Sequence, residues 1–188
     1  MGYEAIITIN CEYYSNRIID VIMLLSKLNW SFYNSDGLVE YIPIGDNDEY
    51  DWQREKISEA DLKDIVDYKQ DHNERVGLLF CYNGTEGGFT MTASSTKEIV
   101  LGLDYYRKTM PDNTTDFAWY FQNVIVLLRN NGCEIDYLTF DEIGCSRDDA
   151  CGGLDLLQFL LQVLHVVLGD LGLLLHSLDL GHGVAADV

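Results

Sequence analysis

The chain has 188 residues, of which 47% are apolar, and its 31 Asp and Glu outnumber its 12 Lys and Arg to give a net charge of −19. The apolar content excludes a disordered chain, and the length fits one domain or one domain with an appendage. The charge disfavours binding of nucleic acid or of an anionic membrane surface, because like charges repel, and it favours a basic protein as partner.

The first half of the chain alternates strand and helix patterns. Residues 3–11 are rich in Ile and Thr and predict a strand, and residues 13–29 carry apolar side chains at helical spacing. A second strand is predicted over 37–44, and a polar, acidic connection follows over 46–57. Ser58 is predicted to begin the second helix, because an acidic residue three positions later completes a pattern that resembles a capping box.

The second half predicts three consecutive strands, then a helix and a last strand. The three strands span 75–82, 88–93 and about 97–106, and they are predicted to form a meander. An apolar helix is predicted over 116–131 and a closing strand over 133–140. The order β-α-β-α-β-β-β-α-β predicts an α+β or α/β domain, in which a mixed sheet is packed by about three helices.

The composition of the chain changes abruptly at residue 145. Residues 1–144 contain every Ile, Tyr, Lys and Asn, whereas residues 145–188 contain none of these and hold 13 of the 25 Leu. We therefore expect a single globular domain over 1–144 and an appended Leu-rich tail over 145–188. The composition of the tail fits a frameshift, a fusion or a segment introduced by cloning, as well as a native element.

Leucines recur in the tail at alternating spacings of three and four residues over 154–178, which predicts a C-terminal helix. One hypothesis is that this helix forms a homo-oligomer. Another is that it packs onto the body of its own chain. Polar residues interrupt the segment, so a membrane span is not expected.

The five cysteines are an odd number, and the N-terminal residues lack the basic flank and the apolar stretch of a signal peptide. Both observations predict a cytoplasmic protein with free thiols. No cofactor or metal is expected. A stretch from Asp46 begins like a calcium loop, but Tyr50, Asp51 and Ile57 replace a ligand, a glycine and a glutamate of that loop. No catalytic motif is present, which favours a protein that is not an enzyme.

The densest polar cluster lies in residues 46–52, and the predicted helix after it is acidic as well. Residues 46–71 contain ten acidic and four basic residues, and two aromatic residues in the cluster provide anchors of the kind that interfaces use. The segment is therefore predicted to bind a basic protein, the alternative being a solvated loop with its tryptophan in the core. The candidate binding residues are Asp46, Asp48, Glu49, Tyr50, Asp51, Trp52, Glu55, Glu59 and Asp64.

Size, acidity and the missing catalytic motifs favour a non-enzymatic, cytoplasmic protein that binds a basic partner. Its most concrete form is an immunity or antitoxin-type protein that neutralises a nuclease-like toxin. Two other functions stay open: an assembly protein that oligomerises through its tail, and a small-ligand-binding domain or small enzyme with a scattered site. The residues that would line such a scattered site are Tyr105, Tyr106, Arg107, Trp119 and Tyr120.

Overall fold

A computed structural model describes residues 4–46, 48–82, 87–104 and 106–143. The tail over 145–188, and with it the leucine repeat, the expected C-terminal helix and the oligomerisation hypothesis, lies outside the described residues. The division of the chain into a domain and an appendage therefore stays a prediction.

One sheet forms the centre of the described structure. Its eight strands are β1 (Glu4–Ile9), β2 (Trp30–Ser31), β3 (Val39–Tyr41), β4 (Gln53–Glu55), β5 (Val76–Tyr82), β6 (Gly88–Ser95), β7 (Glu98–Gly102) and β8 (Leu138–Ile143). Along the sheet the strands follow the order β4-β3-β5-β6-β7-β1-β8, and β2 also pairs with β5. The predicted meander is confirmed as β5-β6-β7.

Among the residues that the structure describes, three helices accompany the sheet and confirm the predicted α+β class. The first two are α1 (Ile18–Lys27) and α2 (Glu59–Asp71). The third, α3, is continuous over 117–130 and consists of two α-helical turns, Phe117–Tyr120 and Leu127–Asn130, on either side of a π-helical segment, Phe121–Val126. The predicted start of α2 is confirmed, because the Ser58 hydroxyl accepts a hydrogen bond from the Asp61 amide at 3.1 Å.

The expected mixed sheet is corrected to an antiparallel one, because every pairing between the described strands is antiparallel. The physical reason lies in the connections. Helix α1 lies between β1 and β2, α2 between β4 and β5, and α3 between β7 and β8, and none of these strand pairs is adjacent in the sheet. Two strands joined by a helix pair in parallel only when the crossover returns the chain beside the first strand, and these three connections lead to positions that are not adjacent to it.

Two short strands, β2 and β4, are absent from the sequence prediction. Strand β2 has only two residues, and β4 lies within the acidic connection over 46–57, where the alternation typical of a strand is missing. Strand β4 forms because it pairs with β3 as a hairpin, in which Arg54 lies opposite Glu40 and forms an ion pair with it at 3.0 Å. Residues 46–52 therefore lie in the connection of a hairpin at the edge of the sheet.

The core is built from the central strands together with α1 and α3. Strand β5 is buried along residues 76–80 without alternation, as expected for a strand with both faces covered. Helix α2 lies at the surface and is tied to the start of α1 by Gln70. The side chain of Gln70 accepts a hydrogen bond from the Ile18 amide at 2.8 Å and donates one to the Asn16 carbonyl at 2.6 Å.

Candidate protein-binding surface

The connection between β3 and β4 begins against the centre of the sheet. The Ile42 amide donates a hydrogen bond to the Gly77 carbonyl of β5 at 3.0 Å. The side chain of Ile42 occupies the space beside this glycine, so that a Cβ atom at position 77 would collide with it. The start of the connection is therefore fixed on β5, and the residues after it project from a defined point.

Asp46 organises the residues that follow it, 46–52, which we call the acidic loop. Its Oδ1 accepts a hydrogen bond from the Tyr50 amide at 2.9 Å, and its Oδ2 accepts one from the Asp51 amide, also at 2.9 Å. The Glu49 amide donates to the Asp46 carbonyl at 3.2 Å. Both carboxylate oxygens of Asp46 are thus engaged with the loop's own backbone, which gives this candidate binding residue a structural role.

Arg75 ties the acidic loop to the segment after α2. Its Nε donates to Asp48 Oδ1 at 3.0 Å, and its guanidinium lies 5.5 Å from the centre of the Tyr50 ring, a cation–π distance. The hydrogen bond to Asp48 raises the pKa of Arg75. Asp48 and Tyr50 adopt positive φ angles of 62° and 58°, which are unfavourable for such residues, so these contacts hold a loop conformation that the backbone alone disfavours.

A cleft of about 390 Å³ lies between the acidic loop and the C-terminal end of α2. Lys69 of α2 is 1% exposed, and its Nζ donates to the Pro43 carbonyl at 2.5 Å and to Glu74 Oε2 at 3.3 Å. The same oxygen of Glu74 accepts a hydrogen bond from the Gly45 amide at 2.8 Å. The residues that line the cleft are Asp46, Asp48, Lys69, His72, Asn73, Glu74, Arg75 and Ser94.

These contacts balance the charges inside the cleft. The hydrogen bond from the Gly45 amide, and after it the contact with Lys69, hold the pKa of Glu74 below its ordinary value. The ionised carboxylate stands opposite a buried ammonium group, whose burial without a partner would be costly. Within the described ranges, no group of three or more His, Cys, Asp or Glu is placed to hold a metal ion. The cleft thus joins the acidic loop and α2 into one polar surface.

Two exposed tyrosines flank the cleft. Tyr50, 45% exposed, lies over Arg75, and Tyr68, 42% exposed, stacks on His72 with ring centres 4.0 Å apart. Trp52 is half-buried, so its environment is intermediate between that of an exposed anchor and that of a core residue. The aromatic groups that protein interfaces favour are therefore present at both sides of a polar cleft.

The candidate acidic residues form two groups, one near the C-terminal end of α2 and one far from it. The residues of the acidic loop lie beside the C-terminal end of α2, whereas Glu59 begins α2, about 15 Å away at the helical rise of 1.5 Å per residue. Glu55 ends β4 and leads to that far end, and Asp64 lies between the two groups. These three residues are exposed. The predicted surface is thus a strip along α2 and not one compact patch.

The residues of the alternative, scattered site have different environments. Tyr120 is fully buried, its hydroxyl donates to the Gly88 carbonyl and accepts from the Lys108 amide, both at 3.0 Å, and burial raises its pKa to about 12. Tyr106 is 59% exposed. Tyr105 lies outside the described residues. Tyr120 therefore contributes to the core, whereas Tyr106 lies at the surface, and the scattered site stays a prediction.

Comparison with known proteins gives no match, since no protein-family model, no curated protein and no solved structure matches the chain. In the part of the chain that the structure describes, no helix combines the length and the apolar character needed to cross a membrane. The function is therefore argued from the chemistry of the surface itself.

Proposed function

We propose that this protein is a non-enzymatic acidic protein that binds a basic protein partner through the acidic loop and α2. The observation that supports the proposal is the exposure of Glu49 and Asp51 on an organised loop. Both are exposed on a loop whose conformation is maintained by Asp46 and by the contacts of Arg75. Charges on a preorganised loop bind a partner without the entropic cost of ordering the loop during association.

Two further properties of the surface fit a protein partner. The net charge of −19 draws a basic protein toward the molecule from a distance and makes association depend on salt. Tyr50 and Tyr68 supply rigid aromatic area beside the cleft, and such residues carry much of the binding energy at interfaces. Acidic steering and aromatic anchoring together favour recognition of a basic surface.

The partner class that this surface fits best is a nuclease-like toxin, which would make the protein an immunity or antitoxin-type inhibitor. A protein that binds nucleic acid presents Lys and Arg to the phosphates. A strip of carboxylates such as Glu49, Asp51, Glu59 and Asp64 offers such a surface a competing set of negative charges. The inhibitor would then act by occupying the nucleic-acid site, and it would need no chemistry of its own.

The test uses the basic protein encoded next to this gene in its native locus, with nuclease activity and calorimetric affinity as the two readouts. We expect the Glu49→Lys/Asp51→Lys variant to weaken binding about tenfold or more at low salt and to lose inhibition in parallel. The matched control is Asp36→Lys/Asp136→Lys, which makes the same change in net charge at two exposed positions elsewhere.

The control decides between a local surface and a general charge effect. An affinity loss confined to the loop variant, with a reduced dependence of Kd on salt, supports the proposal. Equal losses in both variants would mean that only net charge matters, and the acidic loop would then not be the binding surface. A locus without any basic neighbour, together with no binding to basic nucleases in general, contradicts the proposed function.

A further inference from the structure

Strand β4 lies at the edge of the sheet and leaves one side of its backbone open. It is the last strand of the sheet order, and among the described strands it pairs only with β3. Its residues Arg54 and Glu55 are exposed. An exposed edge strand presents amides and carbonyls to which another chain can hydrogen-bond. Because β4 directly follows the acidic loop, this edge is part of the surface that we propose to bind the partner.

The pairing of β3 with its two neighbours shows which backbone groups of β4 face outward. The Ile42 amide donates to the Gly77 carbonyl of β5, so position 42 faces β5 and position 41 faces β4. Tyr41 lies opposite Gln53, and this pair therefore exchanges backbone hydrogen bonds. The next residue of β4, Arg54, directs its amide and its carbonyl away from β3. No described residue forms a hydrogen bond with these two groups, so they are available to a further strand.

The charges of β4 disfavour a second copy of this chain at the open edge. Arg54, Glu55 and Lys56 are consecutive, charged and exposed, a pattern that protects edge strands against self-association. An antiparallel pairing of two copies about Arg54 would place the two arginines opposite each other, and like charges in that position are destabilising. The edge therefore suits a chain of different sequence.

Acidic residues stand at both ends of β4. Glu49 and Asp51 are exposed before the strand, and Glu55 and Glu59 are exposed at its end and at the start of α2. The strand has three residues and extends for about 10 Å, so an extended segment of roughly seven residues that pairs with it would pass both groups. Lysine or arginine near the two ends of such a segment would complement these carboxylates.

We propose that an extended segment of the basic partner adds to the open edge of β4 as a further strand, with basic side chains near its two ends. This inference rests on the proposed function and names the mode of binding at the same surface. In strand addition, main-chain hydrogen bonds supply affinity and the side chains supply specificity. Here the amide and carbonyl of Arg54 supply the main-chain bonds, and the acidic residues on either side select a basic segment.

The test compares two substitutions of one residue in the full chain. Arg54→Pro removes the outward amide, which an edge strand tolerates, whereas Arg54→Ala keeps it. Both variants lose the same charge and the same ion pair with Glu40, so they differ in the backbone donor. With the basic protein encoded next to this gene, we expect Arg54→Pro to raise the Kd about tenfold relative to Arg54→Ala. Equal Kd values would overturn strand addition.

The same measurements separate a failure of this inference from a failure of the proposed function. If Glu49→Lys/Asp51→Lys weakens binding while the two Arg54 variants bind equally, the acidic loop is the binding surface and strand addition is wrong. If the unaltered chain binds no basic protein, the proposed function is contradicted and this inference falls with it.

Amide hydrogen exchange in the unaltered chain provides a second measurement, which does not depend on the folding of Arg54→Pro. We expect the Arg54 amide to exchange at least about tenfold more slowly in the complex than in the free protein. The Gln53 amide, which is bonded to β3, is the internal reference and should be protected in both states. An Arg54 amide that exchanges equally fast in the free protein and in the complex would overturn the proposal.

Discussion

The acidic residues of the loop are chemically alike but have different structural roles. Asp46 uses both carboxylate oxygens for the backbone amides of Tyr50 and Asp51, whereas Asp51 itself is an exposed residue. A carboxylate that satisfies two amides stabilises the loop, and an exposed carboxylate contributes little to stability but is available to a partner. Charge alone therefore does not identify the residues that bind.

The difference between these two residues predicts opposite outcomes for the same substitution. We expect Asp46→Ala to lower the free energy of unfolding by about 1–2 kcal/mol, because two loop amides lose their acceptors. Asp51→Ala should change stability by less than about 0.5 kcal/mol, but it should weaken partner binding. Denaturant unfolding of both variants checks the prediction, and equal stability losses would show that Asp46 does not organise the loop.

Glu74 predicts a pH dependence of stability. Its pKa in the folded protein is below the ordinary value of 4.5, first because of the Gly45 amide and then because of Lys69. A lowered pKa adds stability above pH 4.5, and this stability is lost as the pH falls through the pKa of the folded state. Glu74→Gln should therefore cost about 1–2 kcal/mol at pH 7 and clearly less near pH 3.

The matched control for this prediction is Glu49→Gln, which changes a carboxylate of the exposed loop in the same way. Its effect on the free energy of unfolding should stay within about 0.5 kcal/mol at both pH values. Urea unfolding at pH 7 and pH 3 gives both differences. A cost for Glu74→Gln that does not shrink at low pH would mean that the ionised carboxylate is not the stabilising form.

At the residue scale, the sequence predicts where the acidic cluster lies but not what organises it. The acidity of residues 46–52 is visible directly, and so is Tyr50. The partners Arg75 and Glu74 lie more than twenty residues further along the chain, and no local pattern connects them to the loop. The burial of Lys69 has the same origin, since it depends on a carbonyl of the β3–β4 connection that only the folded chain brings near α2.

At the scale of elements, α3 shows how one irregular segment is stabilised from outside the helix. The indole Nε1 of Trp30 donates to the Asn123 carbonyl at 2.7 Å, and the Leu127 amide, which an α-helix would direct to that carbonyl, bonds to the Val124 carbonyl. The Tyr82 hydroxyl binds the Asn123 side chain at 3.0 Å. The π-helical segment therefore offers polar groups to β2 and β5, and these strands satisfy them.

Removal of the indole donor should destabilise this element. Trp30 is 1% exposed, so Trp30→Phe leaves the Asn123 carbonyl without this donor and also reduces packing, and we expect a loss of about 2–4 kcal/mol. Tyr82→Phe removes one hydroxyl contact to the same asparagine and should cost about 1 kcal/mol. Thermal unfolding compares the two variants, and a Trp30→Phe cost no larger than that of Tyr82→Phe would contradict a role for the indole bond.

The elements themselves were predictable to different degrees for physical reasons. The three-strand meander and all three helices have long apolar segments or apolar side chains at helical spacing, and they are confirmed with ends within about five residues of those predicted. Strand β2 is too short for a pattern, and β4 is formed by its pairing with β3 instead of by its own composition. The antiparallel direction of every described pair depends on where each connection leads, which hydrophobic periodicity does not encode.

For the whole molecule, the net charge bears on the choice of partner, whereas the apolar core bears on the stability of the fold. The charge of −19 favours a basic protein as the proposed partner, and it also opposes compaction through self-repulsion. The fold withstands this repulsion because its core is continuous across the central strands, α1 and α3. Among the described residues, the buried apolar side chains run from Ala5 to Cys133.

The change of composition at residue 145, together with the extensive apolar core formed by side chains between Ala5 and Cys133, predicts that a protein ending at Gly144 folds without the Leu-rich tail. We expect the shortened protein to unfold cooperatively, with a Tm within a few degrees of the full chain. Its molar mass from light scattering also tests the assembly hypothesis, because only an oligomer formed through residues 154–178 would be lost on truncation. Leu161→Asp/Leu168→Asp in the full chain is the companion variant, since it alters the repeat without removing it. If the shortened protein fails to fold, the tail belongs to the domain, and the change of composition at residue 145 is not a structural boundary.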